Sequence, residues 1–571
     1  MDPSYPTPDH LLGSPFLRSS IPRRSRLLHL HDPNSRLLLL HDYASRELNA
    51  FLWLSLFLLT SLLLRQLLRV FRLWIHARLI PGPPSPSFFG HSHLLRHRNL
   101  PDVLASLHDK YGSVVKLWLG PAQLLVSIKD RELVRDMLFK AEDKVPHVGR
   151  AFQLAFGRSS LFMTSFHEVR KRRELLAAEL NHRMRGGSDL VPDQVMGSIM
   201  EKIRLRSAKG SIRCKTLSHH MAFSLMGSLV FGESFSGWLH ATEYEDTLMS
   251  ITNDFIFWAS FTVTPFWKSG FWRYQHLCKK LKWLTTDMIH QCGASYEQLR
   301  DADWKRSNDS GNIYGSLGSA HGIMAGELLF EDAKRHLFPS EAPCANVMGV
   351  MFHGCLLTGG LICNMLARLA AEPEVQDQIY EEIVMARNNS SEDGSSSIDK
   401  IPLLVATIYE SARLLPAWPL LQRSSVYNNF LLKSGEVIPA RAVLVAPLNL
   451  IHSDDPSWGD DGSVFNPYRF LSSTSNESEH LKGPKENCEK KPSYILRDPN
   501  YTEAFFPFGY GTRACVGQKI VIRGVAALFS SLLEQYKIKL RQGPEANVKA
   551  SEYLTWELLP SLEIVFTERN N

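Results

Sequence analysis

The sequence predicts a mainly α-helical fold with small β sheets, preceded by a single N-terminal membrane helix. Long helical patterns of apolar residues occupy much of the chain, including Ala345–Glu372 and the segment after Cys515. Two strand-like runs, Val114–Leu119 and Leu124–Ile128, enclose a Gly-Pro-Ala turn and predict a β-hairpin. The chain has 571 residues and no internal segment of linker composition. One large domain with an N-terminal appendage therefore fits it best.

Charge and cysteine usage narrow the classes of function. The 64 basic and 58 acidic residues give a formal charge of +6. This mild excess permits an acidic protein partner or an anionic membrane surface, and it does not suggest nucleic acid. The 8 cysteines form neither close pairs nor metal-type spacings, which favours a reducing compartment around the folded domain.

The N-terminal region divides into a tail and an anchor. Residues 1–47 are rich in arginine, serine, proline and histidine. We expect a disordered tail there, with an organelle transit sequence as the alternative. Apolar residues dominate Leu48–Leu64, slightly short of the ~20 residues that cross a bilayer, so a tilted anchor helix with its basic flank is expected over residues 48–75. An interfacial helix or a signal-like segment is the alternative.

The flank of this anchor predicts its orientation. Arg65, Arg69 and Arg72 follow the apolar segment, and by the positive-inside rule they keep the following domain cytosolic. Pro81-Gly82-Pro83-Pro84 then predicts a stiff hinge that ends the helix.

The segment Phe505–Gly517 carries the most specific chemistry. Cys515 lies among three glycines, with Arg513 two residues before it and an apolar helical pattern after it. The three are Gly509, Gly511 and Gly517. Glycines let the main chain approach a large flat ligand, and the start of a helix favours a thiolate at Cys515. Thiolate is a strongly donating ligand for haem iron, and Arg513 suits a haem propionate. A glycine-rich loop around a structural cysteine is the alternative.

Two further motifs precede this loop. Glu410 and Arg413 lie three residues apart in the helical pattern Leu403–Leu415, where they share one face and can pair. Arg469, within Phe465–Phe470, can join them from a loop. A buried and fully hydrogen-bonded group of this kind is costly to break, so it suits holding the core in one arrangement.

Together these motifs resemble the cytochrome P-450 family. Phe508-x-x-Gly511-x-Arg513-x-Cys515-x-Gly517 resembles the haem-binding loop of that family. Glu410-x-x-Arg413 resembles its Glu-x-x-Arg helix, and the segment with Arg469 its aromatic-proline-arginine motif. The resemblance implies a cytochrome P-450 fold over residues 81–571, with haem b bound through the thiolate of Cys515 as the metal ligand.

The resemblance also implies roles for side chains around the haem. Phe508 would shield the sulfur, and three arginines would hold the propionates. These are Arg173, Arg423 and Arg513. In the basic helix that contains Arg173, Val169 replaces the tryptophan usual in the family, and Arg170 is a candidate substitute one turn away.

The segment Ala345–Glu372 resembles the long distal helix of the family and departs from it at the oxygen site. The motif Ala/Gly-Gly-x-acid-Thr-Thr falls on residues 353–358. Gly354 is in place, whereas Leu356 and Leu357 stand where the acid and the first threonine are expected. Leucine cannot deliver the two protons that monooxygenation consumes.

Three accounts of this departure stay open. In the first, Thr358 or His353 replaces the acid–alcohol pair after a register change or a helix bulge, so the candidate catalytic residues are Gly354, Thr358 and His353. In the second, a hydroxyl of the substrate relays the protons. In the third, the enzyme rearranges a substrate that is already oxidised.

The function implied by the resemblance is insertion of one atom of O2 into a lipophilic small molecule. Electrons would come from NADPH through a separate NADPH–cytochrome P-450 reductase, and the chain would be a single-pass protein of the endoplasmic reticulum membrane, with a plastid location as the alternative. The alternative functions are a reductase-independent isomerase, dehydratase or lyase acting on hydroperoxides, and a non-catalytic haem protein.

Overall fold

The computed structural model describes residues 33–84, 90–95, 99–157, 161–162, 165–185, 191, 193–207, 210–235, 237–259, 266–310, 343–388, 397–473, 494–541 and 562–569. The chain divides into two compact units, Met1–Arg72 and Leu73–Asn571. The mainly helical fold with small β sheets is confirmed.

Helix α1 spans Pro33–Ala77 and forms most of the described part of the first unit. It starts well before the predicted anchor boundary at residue 48, because good helix formers dominate and neither proline nor glycine occurs between Pro33 and Pro81. The stretch 33–47 is therefore helical, and the rest of the predicted tail, residues 1–32, lies outside the described residues. Tyr43–Ala77 is long and apolar enough to cross a membrane. The large apolar side chains between Phe51 and Leu68 are exposed.

The second unit is built from helices that surround one long buried helix. The helices are α2 (Leu100–Tyr111), α3 (Arg131–Lys140), α4 (Pro146–Phe156), α5 (Phe166–Arg185), α6 (Asp193–Ser207), α7 (Cys214–Phe231), α8 (Ala241–Ala259), α9 (Ser269–Ser310), α10 (Pro343–Ala371), α11 (Pro373–Asn388), α12 (Pro402–Leu414), α13 (Leu448–Asp454) and α14 (Gln518–Gln535). Helix α10 also has the length and hydropathy of a membrane span, but most of that segment is buried. It is the central helix of the core, where an apolar surface all round is expected.

Four small sheets lie among these helices. Their strands are β1 (Val114–Trp118), β2 (Leu124–Ile128), β3 (Ile212–Arg213), β4 (Leu420–Arg423), β5 (Phe430–Leu431), β6 (Val437–Ile438), β7 (Val443–Pro447), β8 (Leu471–Ser473), β9 (Tyr494–Leu496), β10 (Tyr536–Leu540) and β11 (Glu563–Glu568). The described sheets have the orders β1-β2-β7-β4, β10-β11-β3, β5-β6 and β8-β9.

The largest sheet contains the predicted hairpin and extends it toward the candidate site. Strands β1 and β2 pair antiparallel with Val114 opposite Ile128, as the hairpin prediction requires. Strand β7 then pairs parallel to β2 and antiparallel to β4. This order places Arg423, the last residue of β4, at the end of an edge strand that pairs with the buried strand β7.

Candidate active site

The loop before α14 turns sharply at two glycines. Gly509 and Gly511 have φ angles of 73° and 71°, a region that costs other residues roughly 1–2 kcal/mol. A Cβ on Gly511 would also lie 3.2 Å from the carbonyl oxygen of Leu138. The N–H of Cys515 closes the loop by donating to the carbonyl of Phe508 at 2.8 Å. Gly517 differs from the expectation, because its φ of −93° is open to any residue.

The thiol of Cys515 lies at the start of α14, where the backbone N–H groups of Gly517 and Gln518 lower its pKa. Burial nevertheless raises the pKa of this thiol, and the two amides with Arg173 only partly offset it. The expectation that the helix start alone favours a thiolate is therefore too simple. A metal ion bound to the sulfur would supply the missing stabilisation of the anion.

Cys515 stays accessible although protein surrounds it. Among the described cysteines it is the exposed one, and it lines a cavity together with Leu180, Met184, Val516 and Ile520. A buried structural cysteine, the alternative interpretation of this loop, would be enclosed by side chains. The accessible sulfur fits an iron ligand instead.

A cluster of cations lies close to this cysteine. Burial, and then neighbouring arginines, lower the pKa of Arg513 to about 9 and that of Arg423 to about 10. Burial lowers the pKa of Arg173, which also feels the charge of Cys515. Lys144 belongs to the same cluster, because after burial its pKa is lowered by these three arginines.

Two members of the cation cluster keep donors without partners within the described residues. The Nε atoms of Arg173 and Arg423 are buried without a hydrogen-bond partner there, and the ammonium of Lys144 rests on the rings of Phe152 and Phe162 at 4.9 and 5.0 Å. Buried like charges are costly unless anions join them. Two carboxylates beside a thiolate would meet this need, so the residues present fit a haem.

Two other positions on α5 have different surroundings. Arg170 is exposed and pairs with Glu174 at 3.0 Å, so it does not join the cation cluster. Val169 is fully buried in the core. On this helix the structure thus brings Arg173, and not the alternative Arg170, to the cluster.

Glu410, Arg413 and Arg469 form one buried ion network. Arg413 donates through Nε and Nη2 to the two carboxylate oxygens of Glu410, each at 2.7 Å. Arg469 Nε donates to Oε1 of the same carboxylate at 3.1 Å. The remaining donors of Arg413 reach the carbonyls of His452 and Gly462. The network joins α12 to α13, which carries His452, and to the later segment that carries Gly462 and Arg469.

His452 was not assigned a role from the sequence, and the structure places it between the ion network and the cysteine loop. Its Nδ1–H donates to the carbonyl of Arg413 at 2.7 Å, and its Nε2 accepts from the N–H of Phe506 at 3.1 Å. Burial lowers the pKa of this imidazole to about 3. A neutral ring of fixed tautomer therefore links the core network to the start of the loop.

On α10, Gly354 and Thr358 face a neighbouring helix. A Cβ on Gly354 would lie 2.3 Å from Cε of Met226 on α7, and the buried hydroxyl of Thr358 points to the sulfur of the same methionine at 4.0 Å. These two residues are one turn apart and share a face. The close fit around Met226 leaves no groove at Gly354.

His353 lies on the adjacent face of α10. Its ring centroid is 5.5 Å from that of Phe152 and 5.6 Å from that of Phe162, the rings on which Lys144 rests. Its buried Nδ1 has no hydrogen-bond partner among the described residues. Burial, followed by the charges of Lys144 and Arg173, lowers its pKa to about 3.

Lys144 was missed because no sequence signal marks it. It follows Asp143 and precedes Val145-Pro146, a context typical of a surface loop. Its position beside arginines from α5, β4 and the cysteine loop depends on the tertiary fold.

Comparison with known proteins gives one consistent family. The family model described as Cytochrome P450 matches residues 80–560. Among curated proteins, the chain is 24% identical over 506 residues to "Probable cytochrome P450 313a1" of Drosophila melanogaster, covering 82% of this chain and 91% of that protein. It is 24% identical to "Tabersonine/lochnericine 19-hydroxylase" of Catharanthus roseus, covering 84% and 90%. It is 23% identical to "Cytochrome P450 4X1" of Rattus norvegicus, covering 85% and 91%.

Proposed function

We propose a specific activity for this chain, which belongs to the cytochrome P-450 family. Members of the family are oxidoreductases of the monooxygenase class that bind haem through a cysteine thiolate. The proposed reaction inserts one oxygen atom from O2 into a lipophilic small molecule. NADPH would supply the electrons through a separate NADPH–cytochrome P-450 reductase.

The observation that carries this proposal is the accessible sulfur of Cys515 beside the buried cation cluster. In this proposal Cys515 would bind the iron, and Gly511 would let the backbone lie close to the haem ring. The propionates would be held by Arg173, Arg423 and Arg513. Phe508 and Gly517 complete the loop on either side of the cysteine. When bound, haem with a thiolate ligand supplies the activation of O2.

The ion network of Glu410, Arg413 and Arg469 would hold the cysteine loop in its position. Glu410 and Arg413 are wholly buried, and Arg469 adds a third charge from a separate segment. Breaking one partner of such a network leaves a buried uncompensated charge. We therefore assign these residues a structural role.

We propose that His353 holds a proton on the distal side of the haem site. A neutral imidazole accepts at one nitrogen and donates at the other, and the Nδ1 of His353 has no partner within the described part of the chain. Gly354 and Thr358 are instead assigned to the contact between α10 and Met226, because both pack against that side chain.

We also propose that α1 anchors the chain once in the endoplasmic reticulum membrane, with the haem domain in the cytosol. The exposed apolar side chains of Tyr43–Ala77 support an anchor, since so large an apolar surface is not stable in water. Fractionation of cells that produce a tagged full-length chain tests this. Co-sedimentation with microsomes supports it, and recovery with plastids supports the alternative location.

The decisive experiment is the carbon monoxide difference spectrum of the reduced full-length protein, followed by NADPH-dependent O2 uptake with reductase. We expect the Soret shift of a thiolate-ligated haem, lost in Cys515→Ala and kept in Cys278→Ala, a control at a buried cysteine of α9. A chain without that shift would refute the haem assignment. With the shift present, O2 uptake stimulated by lipophilic compounds supports the monooxygenase.

A second function is favoured by the two leucines on α10. Leu356 and Leu357 cannot relay protons, which suits a haem enzyme that rearranges or cleaves a hydroperoxide and consumes neither O2 nor NADPH. Turnover of a fatty-acid hydroperoxide by the haem-loaded protein without reductase, together with no O2 uptake, would establish this function in place of the first.

A further inference from the structure

Asp143, in the connection between α3 and α4, holds separate segments together. Its main chain pairs with Ser424, with N–H to O distances of 3.1 and 2.9 Å in the two directions. Its Oδ1 accepts from the N–H of Phe166 at 2.9 Å, and its Oδ2 accepts from the N–H of Val426 at 3.1 Å. One carboxylate thus joins the first residue of α5 to the segment after β4.

The joined segments carry three of the four cations beside Cys515. Arg423 ends β4, directly before the residue that pairs with Asp143. Arg173 lies about two turns into α5 from its bonded first residue. Lys144 follows Asp143 in the chain. These cations come from three different segments, and the carboxylate fixes the segments relative to one another.

Arg513, the fourth cation, contacts the residue before Asp143 and the first residue of α5. Its Nε donates to the carbonyl of Glu142 at 2.6 Å, and its guanidinium lies 5.2 Å from the ring centroid of Phe166. Arg513 therefore contacts the residue before Asp143 and the residue whose N–H the Asp143 carboxylate accepts.

We propose that Asp143 is a positioning residue for the carboxylate-binding end of the haem site. It bonds to the backbone of the segments that carry the cations and sets the distances between them. Removing its bonds weakens recognition of the two propionates and leaves the remaining contacts of the ring unchanged. This inference rests on the cofactor of the family and not on the proposed reaction, so either one can fail without the other.

The test uses two forms of the cofactor. Full-length protein in detergent is freed of haem and titrated either with haem or with haem dimethyl ester, in which the propionates carry no charge, and the absorbance change gives each affinity. In Asp143→Asn one of the two acceptor oxygens becomes an NH2 group, which faces a backbone donor, and the charge is lost. We expect an affinity for haem lowered by about tenfold or more, and an affinity for the ester changed by less than about twofold.

Asp130→Asn is the matched control. The carboxylate of Asp130 also accepts a backbone N–H, from Leu133 at 2.9 Å, but it caps α3 and lies outside the cation cluster. We expect this variant to lower the melting temperature slightly and to leave the ratio of the two affinities as in the parent protein. The ratio separates a role in the haem site from a general loss of stability.

Three outcomes would overturn the proposal. The first is an equal loss of affinity for haem and its ester in Asp143→Asn, and the second is no loss of affinity for either. The third is a change in the ratio of the two affinities in Asp130→Asn as large as that in Asp143→Asn. If Asp143→Asn does not fold, Asp143→Glu is measured in the same way, because it keeps the charge and displaces the carboxylate by one methylene. If neither variant folds, Asp143 is a determinant of the fold in general, and the positioning role is rejected.

Discussion

Replacing His452 by phenylalanine is expected to destabilise the protein and to change how its stability depends on pH. The ring of His452 is fully buried and joins the carbonyl of Arg413 to the N–H of Phe506. Phenylalanine keeps an aromatic ring but makes neither bond. Each of the two buried groups left without a partner costs about 1–3 kcal/mol, so a loss of about 2–6 kcal/mol in the free energy of unfolding is expected.

The pH dependence has a definite sign. The pKa of His452 is about 3 in the folded chain, against about 6.5 when unfolded. Between these values the unfolded chain binds the extra proton, so stability is fully present above the unfolded pKa and is lost as pH falls. At pH 5 the loss from this one residue is about 2 kcal/mol, and His452→Phe lacks it.

Urea unfolding of the full-length protein at pH 7, 6 and 5, followed by tryptophan fluorescence, measures both effects. His219 and His353 are also buried with lowered pKa values, but they are present in both proteins, so their contributions cancel in the comparison. His240→Phe, at a partly exposed histidine paired with Glu243, is the control and is expected to change stability by less than about 0.5 kcal/mol. An identical pH dependence in His452→Phe and the parent would refute the reasoning.

Three further predictions concern the same core. Gly511→Ala is expected to lower the ratio of haem to protein and to reduce the free energy of unfolding by about 1–2 kcal/mol, because the φ of 71° strains alanine. Gly517→Ala is the control, and at a φ of −93° it is expected to change neither quantity. Glu410→Gln, which leaves the buried charge of its arginine partner uncompensated, is expected to cost about 3–5 kcal/mol in thermal or urea unfolding. Arg173→Ala is expected to lower the haem content measured by absorbance. Arg170→Ala removes an exposed ion pair, so it is expected to reduce the free energy of unfolding by less than about 1 kcal/mol and to leave the haem content unchanged.

The features that the sequence predicted depend on neighbouring residues. The hairpin of β1 and β2 follows from two apolar, strand-like runs around one turn, and the pairing of Glu410 with Arg413 follows from their spacing on a helix. The cysteine loop is marked by its glycines, two of which have the expected left-handed backbone. In each case the interaction closes within a few residues, so the local pattern carries enough information.

The features that were missed depend on contacts between distant segments. Lys144, Asp143 and His452 carry no local pattern, and each acquires its role from partners on other elements. Helix α1 begins at Pro33, before the expected boundary at residue 48, for another reason. Residues 33–47 are polar enough to suggest a tail, but they contain no helix breaker, and helix α1 continues through them.

Packing on α10 also decides which of two neighbouring residues can take part in chemistry. Thr358 is the residue that alignment of the motif places beside the oxygen site, yet its hydroxyl faces the sulfur of Met226, whereas His353 lies on the adjacent face beside Lys144. Thr358→Val keeps the shape of the side chain and is expected to leave the hydrogen peroxide released per NADPH oxidised within about twofold of the parent, because a hydroxyl with so weak a contact relays no proton. His353→Leu is expected to raise that ratio clearly, since it removes an imidazole whose Nδ1 has no partner among the described residues. A rise in Thr358→Val with none in His353→Leu would return the proton relay to the threonine, and would require α10 to rotate or bulge when the haem is bound.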